Sequence, residues 1–153
     1  MREIPHESPI TTAAAEEAVR EWFALLGRYC AAVDYESAEA IFAPDVLSFG
    51  TKARVVGGVK HLRENQWQGI WPNISDFSIE MEQVRGGGDS QFAWGLATWT
   101  STVFDREGKP FFRPGRATVA LERRNGGWVA VHSHFSVAPG TPPETFGPGG
   151  SKS

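Results

Sequence analysis

Two neighbouring segments near the C-terminus constrain the fold most, because the polarity of their side chains alternates along both. A turn at Asn125-Gly126-Gly127 separates residues 115–124 from residues 128–136. Asn-Gly between alternating segments is the strongest short-range signal for a β-hairpin. Successive side chains of a strand point to opposite faces of its sheet. We therefore predict an antiparallel hairpin with one polar and one apolar face.

The two faces of this hairpin have different compositions if both strands are regular. The polar face carries Arg116, Thr118, His132, His134 and Ser136, and the other face carries Val119, Leu121, Val129, Val131, Ser133 and Phe135. An apolar face packs against helices and lines the interior, whereas a polar face meets solvent or another subunit. This interpretation places His132 and His134 outside, where they would hydrogen-bond across a homodimer interface.

A second interpretation stays open, because β-bulges re-aim side chains and recur beside active sites. A bulge would turn His132 or His134 toward the interior, where an imidazole that titrates near neutral pH acts as a general acid or base. Arg116 would then hold an anionic group such as a carboxylate. Two histidines at i and i+2 can share a metal ion, but no third ligand lies nearby in the sequence, so we predict no metal site.

The rest of the chain predicts helices first and strands afterwards. Apolar residues at helical spacing predict helices over residues 14–33 and 59–71, with a short helix capped by Asp34 between them. The other predicted strands cover residues 45–49, 54–56, 76–85 and 91–104, with a turn at Gly86-Gly87-Gly88 and a candidate bulge at Gly95. This order favours an α+β domain in which helices pack on one face of a curved sheet.

Composition limits the partners and the compartment. A net charge of −3 provides no basic surface for nucleic acid. Residues 1–9 match neither a signal peptide nor a membrane span, so we expect no membrane association. Cys30 is the single cysteine and cannot form an internal disulfide, which favours a reducing, cytoplasmic compartment. We predict no cofactor, since the glycine run at 86–88 lacks the Lys-Ser/Thr of a phosphate loop.

Five passages carry a resemblance to a known family. They are residues 34–45 (Asp, a short helix, then Phe-Ala-x-Asp), Gly57-Gly58, Arg116-x-Thr118, residues 123–128 and residues 132–136. Together they resemble the SnoaL-like branch of the nuclear transport factor 2-like superfamily, over roughly residues 13–138. The last block is also similar to the calcium/calmodulin-dependent kinase association domain. We expect residues 1–12 to form a flexible arm and residues 139–153, rich in Pro, Gly and Ser, a disordered tail.

This resemblance implies a cone-shaped fold, in which a strongly bent sheet wraps the first helix and leaves an apolar cavity open at one end. Members commonly form homodimers through the outer face of the sheet. Their activities include ketosteroid isomerisation, dehydration, epoxide hydrolysis and polyketide cyclisation, and other members only bind ligands or assemble complexes.

Ketosteroid isomerase chemistry requires a carboxylate base, a tyrosine and a protonated acid around an apolar cavity. The resemblance puts the tyrosine position on Tyr29, the base position on Gly50 and the acid position near Val119. Two of these three groups are missing, so we do not expect a ketosteroid isomerase of the usual kind. Tyr29 is either a hydrogen-bond donor inside the cavity or a core tyrosine.

We expect the cavity to bind a small apolar or carboxylate-bearing molecule. The predicted ligand-binding residues are Tyr29, Phe49, Trp67, Trp71, Trp99, Arg116, Ser133 and Phe135, with Arg54 and Arg113 at the lip. Tyr29, His132 and His134 are the candidate catalytic residues. Two functions stay open: an isomerase, cyclase or dehydratase acting on a polyketide- or steroid-like molecule, and a non-catalytic binding or oligomeric assembly module with the same cavity.

Overall fold

The structure is a computed structural model that describes residues 12–51, 54–142 and 145–148. Its first helix, α1 (Ala13–Ala32), begins where the Thr12 hydroxyl oxygen accepts a hydrogen bond from the backbone N–H of Ala15, and ends at Val33 in the left-handed conformation (φ 53°). The apolar stripe of α1 is buried, as its spacing predicts. Residues 1–11 of the predicted arm at 1–12 lie outside the described residues, and Thr12 is the N-cap of α1.

Two further helices follow the predicted order. Asp34 caps α2 (Tyr35–Glu39), and its carboxylate accepts a hydrogen bond from the backbone N–H of Ser37. The third helix, α3, is composite. It starts as α-helix at Val59–Leu62, widens to π-helix at Arg63–Trp67, returns to α-helix at Gln68–Ile70 and ends in a 3-10 turn at Trp71–Asn73.

Among the described residues, eight strands form one curved, mixed sheet that packs against α1. They are β1 (Phe42–Phe49), β2 (Val56–Gly57), β3 (Ser75–Ile79), β4 (Arg85–Gly88), β5 (Phe92–Phe104), β6 (Pro110–Phe112), β7 (Gly115–Arg124) and β8 (Gly127–Val137). The order is β2-β1-β8-β7-β5-β3, and β4 and β6 pair with other parts of β5. The β1–β8 pair is parallel, and the other pairs are antiparallel. The α+β prediction is confirmed.

The region predicted as one strand at 76–85 and a glycine turn at 86–88 differs in the structure. A 3-10 turn at Met81–Gln83 divides it, and the glycines themselves form most of β4. Gly86 pairs with Gly95 of β5. Cβ atoms on either glycine would collide with the side chain of Val19 in α1. The glycines therefore let the helix approach the sheet closely, and Gly95 marks this approach rather than a bulge.

The C-terminal hairpin pairs as predicted but contains a bulge. Thr118 lies opposite His134 and Ala120 opposite His132, and the register then shifts so that Leu121 faces Ala130. The bulge exchanges the inward-facing and outward-facing side chains only in the first part of β8. The prediction that Val129 and Val131 point inward is wrong, because Ala130 takes the buried position.

Part of the predicted C-terminal tail contacts the domain. The backbone N–H of Phe146 donates a hydrogen bond to the carbonyl oxygen of Phe104, at 2.8 Å, and the Phe146 side chain is buried. The guanidinium of Arg106 lies 5.7 Å from the centre of the Phe146 ring. Residues 143–144 and 149–153 of that tail lie outside the described residues. Within the described residues, none of the helices is long and apolar enough to cross a membrane.

Candidate functional site

A pocket lies between α1, α3 and the concave face of the sheet. It is lined by Leu26, Cys30, Phe42, Phe49, Gly50, Thr51, Leu62, Gln66, Trp67, Ile70, Trp71, Ile74, Phe77, Trp99, Arg113, Ser133 and Phe135. Its volume is about 60 Å³. Most of this lining is apolar or aromatic, which is typical of small-molecule sites.

The π-helical segment of α3 positions the aromatic wall of this pocket. The rings of Trp67 and Trp71 stack with their centres 4.7 Å apart, and the Tyr35 ring also stacks with that of Trp71, at 5.6 Å. The same segment buries Gln66 beside Trp67. Adjacent side chains in a regular α-helix diverge by about 100°, so the wider turn helps to bring both toward the interior.

Arg113 is the one buried arginine of the part of the chain that the structure describes, at 2% exposure. It lies between β6 and β7, where its backbone N–H and carbonyl pair with the backbone of Ser101 and its carbonyl also accepts from the Ser101 hydroxyl. Its guanidinium carbon lies 5.7 Å from the centre of the Trp99 ring. Burial lowers the pKa of Arg113 by desolvation, but an arginine stays protonated at neutral pH.

Three buried polar atoms of the lining residues have no hydrogen-bond partner within the described residues. They are Nε of Arg113, Nε1 of Trp99 and Oε1 of Gln66. None of the ion pairs formed among residues 12–51, 54–142 and 145–148 involves Arg113. Buried polar atoms are almost always paired, so each exception requires an explanation.

Two glycines leave the space that two of these polar side chains occupy. A Cβ atom on Gly50 would overlap the carboxamide of Gln66, and one on Gly115 would overlap the indole of Trp99. The Gln66 side chain thus fills the space that a side chain at position 50 would occupy. Its Nε2 donates to the Thr51 hydroxyl at 3.3 Å, which leaves Oε1 free.

Ser133 and Cys30 also line the pocket. The hydroxyl oxygens of Ser48 and Ser133 lie 2.7 Å apart in a buried hydrogen bond that joins β1 to β8. Burial strongly raises the pKa of the Cys30 thiol by desolvation. The thiol therefore stays protonated and is a poor nucleophile.

The structure brings six of the predicted ligand-binding residues to this pocket: Phe49, Trp67, Trp71, Trp99, Ser133 and Phe135. Phe49 borders the pocket, while its ring lies 5.2 Å from the ring of His134 on the opposite side of the sheet. Whether these residues bind a ligand stays a prediction.

Tyr29 does not lie in the pocket lining. It is half-buried near the end of α1, with the Arg28 guanidinium 5.7 Å from its ring centre. Consecutive helical residues differ by about 100° in direction, and Cys30 takes the pocket-facing position instead. Tyr29 is therefore not placed to donate a hydrogen bond inside the cavity.

His132, His134 and Arg116 also lie apart from the pocket, on the outer face of the sheet. Nδ1 of His132 lies 2.8 Å from the carbonyl oxygen of Leu47, and Nε of Arg116 donates to the Ser136 hydroxyl at 3.2 Å. The bulge in β8 precedes both histidines and leaves them outside. The pocket arginine is Arg113, three residues before the predicted Arg116.

Sequence reasoning missed Gln66 and underrated Arg113. Gln66 follows Leu62 by four positions and precedes Ile70 by four, so a polar residue on the apolar stripe was a usable signal. Arg113 gave no such signal, because it lies at the break between two strands, where side-chain alternation is lost.

The chain belongs to the family defined by the SnoaL-like domain, whose family model matches residues 16–140. No curated protein matches the sequence. Among the described residues, no group of three His, Cys, Asp or Glu side chains is placed to hold a metal ion.

Solved structures show the same fold at low sequence identity. A nuclear transport factor 2-like superfamily protein from Salmonella enterica serovar Typhimurium has a TM-score of 0.71 and 17% identity, covering 85% of this chain and 95% of that one. A ketosteroid isomerase-like protein from Erwinia carotovora atroseptica has a TM-score of 0.69 and 13% identity, covering 84% and 100%. A Xanthomonas campestris protein, classed as a candidate calcium/calmodulin-dependent protein kinase II association domain, has a TM-score of 0.64 and 21% identity, covering 92% and 95%.

Proposed function

We propose that this protein binds a small, mainly apolar molecule in the pocket between α1, α3 and the sheet. The observation that carries the proposal is the combination of an aromatic lining with unpaired polar atoms on Arg113, Trp99 and Gln66. An unpaired buried polar group raises the free energy of the folded protein. A ligand that pairs with these atoms would remove that penalty.

The size of the pocket limits the ligand. Its volume of about 60 Å³ is less than half of the roughly 150 Å³ of an engineered cavity that binds benzene. A steroid- or polyketide-sized molecule, as the family resemblance suggested, would need the walls to move apart. The volume favours a short-chain molecule.

Binding is favoured over isomerase, cyclase or dehydratase chemistry. The described lining residues contain neither a histidine nor a carboxylate, and proton abstraction needs a base within hydrogen-bond reach. Because Tyr29 lies outside the lining, we expect Tyr29→Phe to leave ligand affinity unchanged. If a turnover is found, a loss of rate in Tyr29→Phe would support the catalytic role instead.

The pocket can be tested by filling it. Leu62 is buried in the lining, so Leu62→Phe should reduce the free volume and weaken the binding of short-chain alcohols, ketones, amides and carboxylates, measured by heteronuclear NMR. The matched control is Leu96→Phe, on the outer face. Loss of binding in Leu62→Phe alone supports the proposal, and equal binding by both variants would contradict it.

The outer face of the sheet favours a second function, assembly into a homodimer. Large apolar side chains are exposed on this face at Leu47, Phe92, Trp94 and Leu96. Beside Leu96, a shallow depression of about 330 Å³ is lined by polar residues that include Arg116, His134 and Ser136. Apolar residues rimmed by polar ones are typical of protein interfaces. We propose that His132 and His134 lie at this interface.

We also propose that the protein works in a reducing compartment. Cys30 is a buried free thiol, and a chain without an internal disulfide suits a reducing environment such as the cytoplasm.

A further inference from the structure

We propose that Arg113 anchors the carboxylate of a short-chain organic acid, with Trp99 as a second donor. This inference rests on the proposed pocket and names the class of molecule that occupies it. It differs from the sequence-based expectation that Arg116 binds the anion, because Arg116 lies outside the pocket.

The charge balance of the pocket supports an anionic ligand. Arginine is rarely fully buried unless a counter-ion pairs with it. Arg113 is 2% exposed, and no Asp or Glu among the described residues lies within ion-pair distance. Its guanidinium carbon lies over the ring of Trp99, 5.7 Å from the ring centre. A buried cation with only this weak partner leaves a place for a negative charge.

The unpaired hydrogen-bonding atoms favour one class of anion, the carboxylates. Nε of Arg113 and Nε1 of Trp99 can only donate, and both lack an acceptor. A carboxylate accepts several hydrogen bonds, and its planar shape matches the guanidinium. The remaining lining is mostly apolar, which suits an alkyl chain better than a fully hydrated ion such as phosphate.

Gln66 adds a preference within this class. Its unpaired Oε1 is an acceptor in the same pocket. A hydroxyl group on the organic acid would donate to this oxygen, so we expect hydroxylated acids to bind more tightly than unsubstituted ones. The expected order is 3-hydroxybutyrate above butyrate, and butyrate above its amide.

The test compares ligands that differ in charge and variants that differ in position. Sodium butyrate, sodium 3-hydroxybutyrate and butyramide are titrated into the intact protein at constant ionic strength, with sodium phosphate as a second anion. Binding is followed by isothermal titration calorimetry. Arg113→Met removes the charge and keeps the volume, and Arg116→Met makes the same change on the outer face.

We expect the two carboxylates to bind the parent protein and Arg116→Met, and to bind Arg113→Met at least about tenfold more weakly, because a charged hydrogen bond is lost. Carboxylate binding that survives unchanged in Arg113→Met would overturn the inference. Phosphate binding as tight as butyrate binding would also overturn it, since the site would then recognise charge alone.

Two outcomes separate this inference from the proposed pocket. Butyramide binding without carboxylate binding would overturn the carboxylate anchor and leave the small-molecule pocket standing. No binding of any probe would overturn both. If Arg113→Met does not fold, the comparison of butyrate with butyramide on the parent protein still decides, because equal affinities would exclude a role for the charge.

Discussion

Among single residues, Arg113 is the strongest indication of a binding site, because a buried and unpaired charge lowers the stability of the folded protein. Its backbone is fixed by hydrogen bonds to Ser101 of β5, and its side chain lines the pocket. Selection for a stable core would favour an apolar side chain at such a position. A residue that lowers stability and faces a pocket is typical of a binding site.

We predict that Arg113→Met stabilises the protein without ligand. The expected gain is about 1 kcal/mol or more in the free energy of unfolding, since apolar replacements of buried charges are often stabilising. Urea denaturation measures it, and Arg116→Met, an exposed change, should stay within about 0.5 kcal/mol of the parent. A marked loss of stability in Arg113→Met would show that the guanidinium has a structural role.

Gly50 illustrates how far sequence reasoning reached at the scale of a residue. The family resemblance identified position 50 as the missing base, and a lone glycine says nothing more. The structure adds that Gln66, sixteen positions later, fills the vacated space. No local pattern links the two residues, because their contact depends on how α3 lies against β1.

We therefore predict that Gly50→Ala and Gln66 are coupled. The added methyl group should lower the free energy of unfolding by about 1–2 kcal/mol, because it displaces the buried carboxamide. The double variant Gly50→Ala/Gln66→Ala should lose less than the sum of the two single changes, as measured in a double-mutant cycle. Gly69→Ala is the control, since a methyl group there meets no atom within 4 Å. Additive losses would contradict the coupling.

At the scale of elements, the hairpin and the first helix could be predicted because their periodicities are long and regular. Residues 76–88 were misjudged because glycine-rich β4 has no side chains to alternate. The bulge in β8 was also beyond the sequence, since Val129, Ala130 and Val131 are all apolar and fit either face. The packing of Val19 against Gly86 and Gly95 explains why β4 is rich in glycine.

This helix–sheet contact gives a prediction about Gly95. Gly95→Ala should lower the free energy of unfolding by roughly 1–3 kcal/mol, because the new Cβ atom overlaps the Val19 side chain. Val19→Ala in the Gly95→Ala background should restore part of that loss. Gly127→Ala, which meets only one atom, at 3.8 Å, should change little in thermal denaturation. An unchanged stability of Gly95→Ala would show that the helix approaches less closely than described.

At the scale of the whole molecule, the order of helices and strands predicted the fold. It did not predict what each face of the sheet does. The concave face holds the small pocket, and the outer face presents exposed apolar side chains on β1 and β5. Trp94, at 49% exposure, and Leu96 lie on β5 beside the depression that includes His134. Burial between subunits would remove these side chains from water.

A charge on this outer face should separate the subunits of the proposed homodimer. We expect Trp94→Glu to shift the protein from dimer to monomer in analytical ultracentrifugation, because an unpaired carboxylate at an interface is strongly unfavourable. Ala24→Glu, on the exposed side of α1, should leave the dimer intact. A weaker dimer is also expected for His134→Ala. A Trp94→Glu variant that stays dimeric would locate the interface elsewhere.

The most direct test of the pocket uses two tryptophans of β5 that point to opposite faces. Trp99 lies in the pocket with a free indole N–H, and Trp94 lies exposed on the outer face. We predict that titration with butyrate moves the indole N–H signal of Trp99 saturably in heteronuclear NMR and leaves that of Trp94 in place. A stationary Trp99 signal would contradict binding in the pocket, whether or not the Trp94 signal moves.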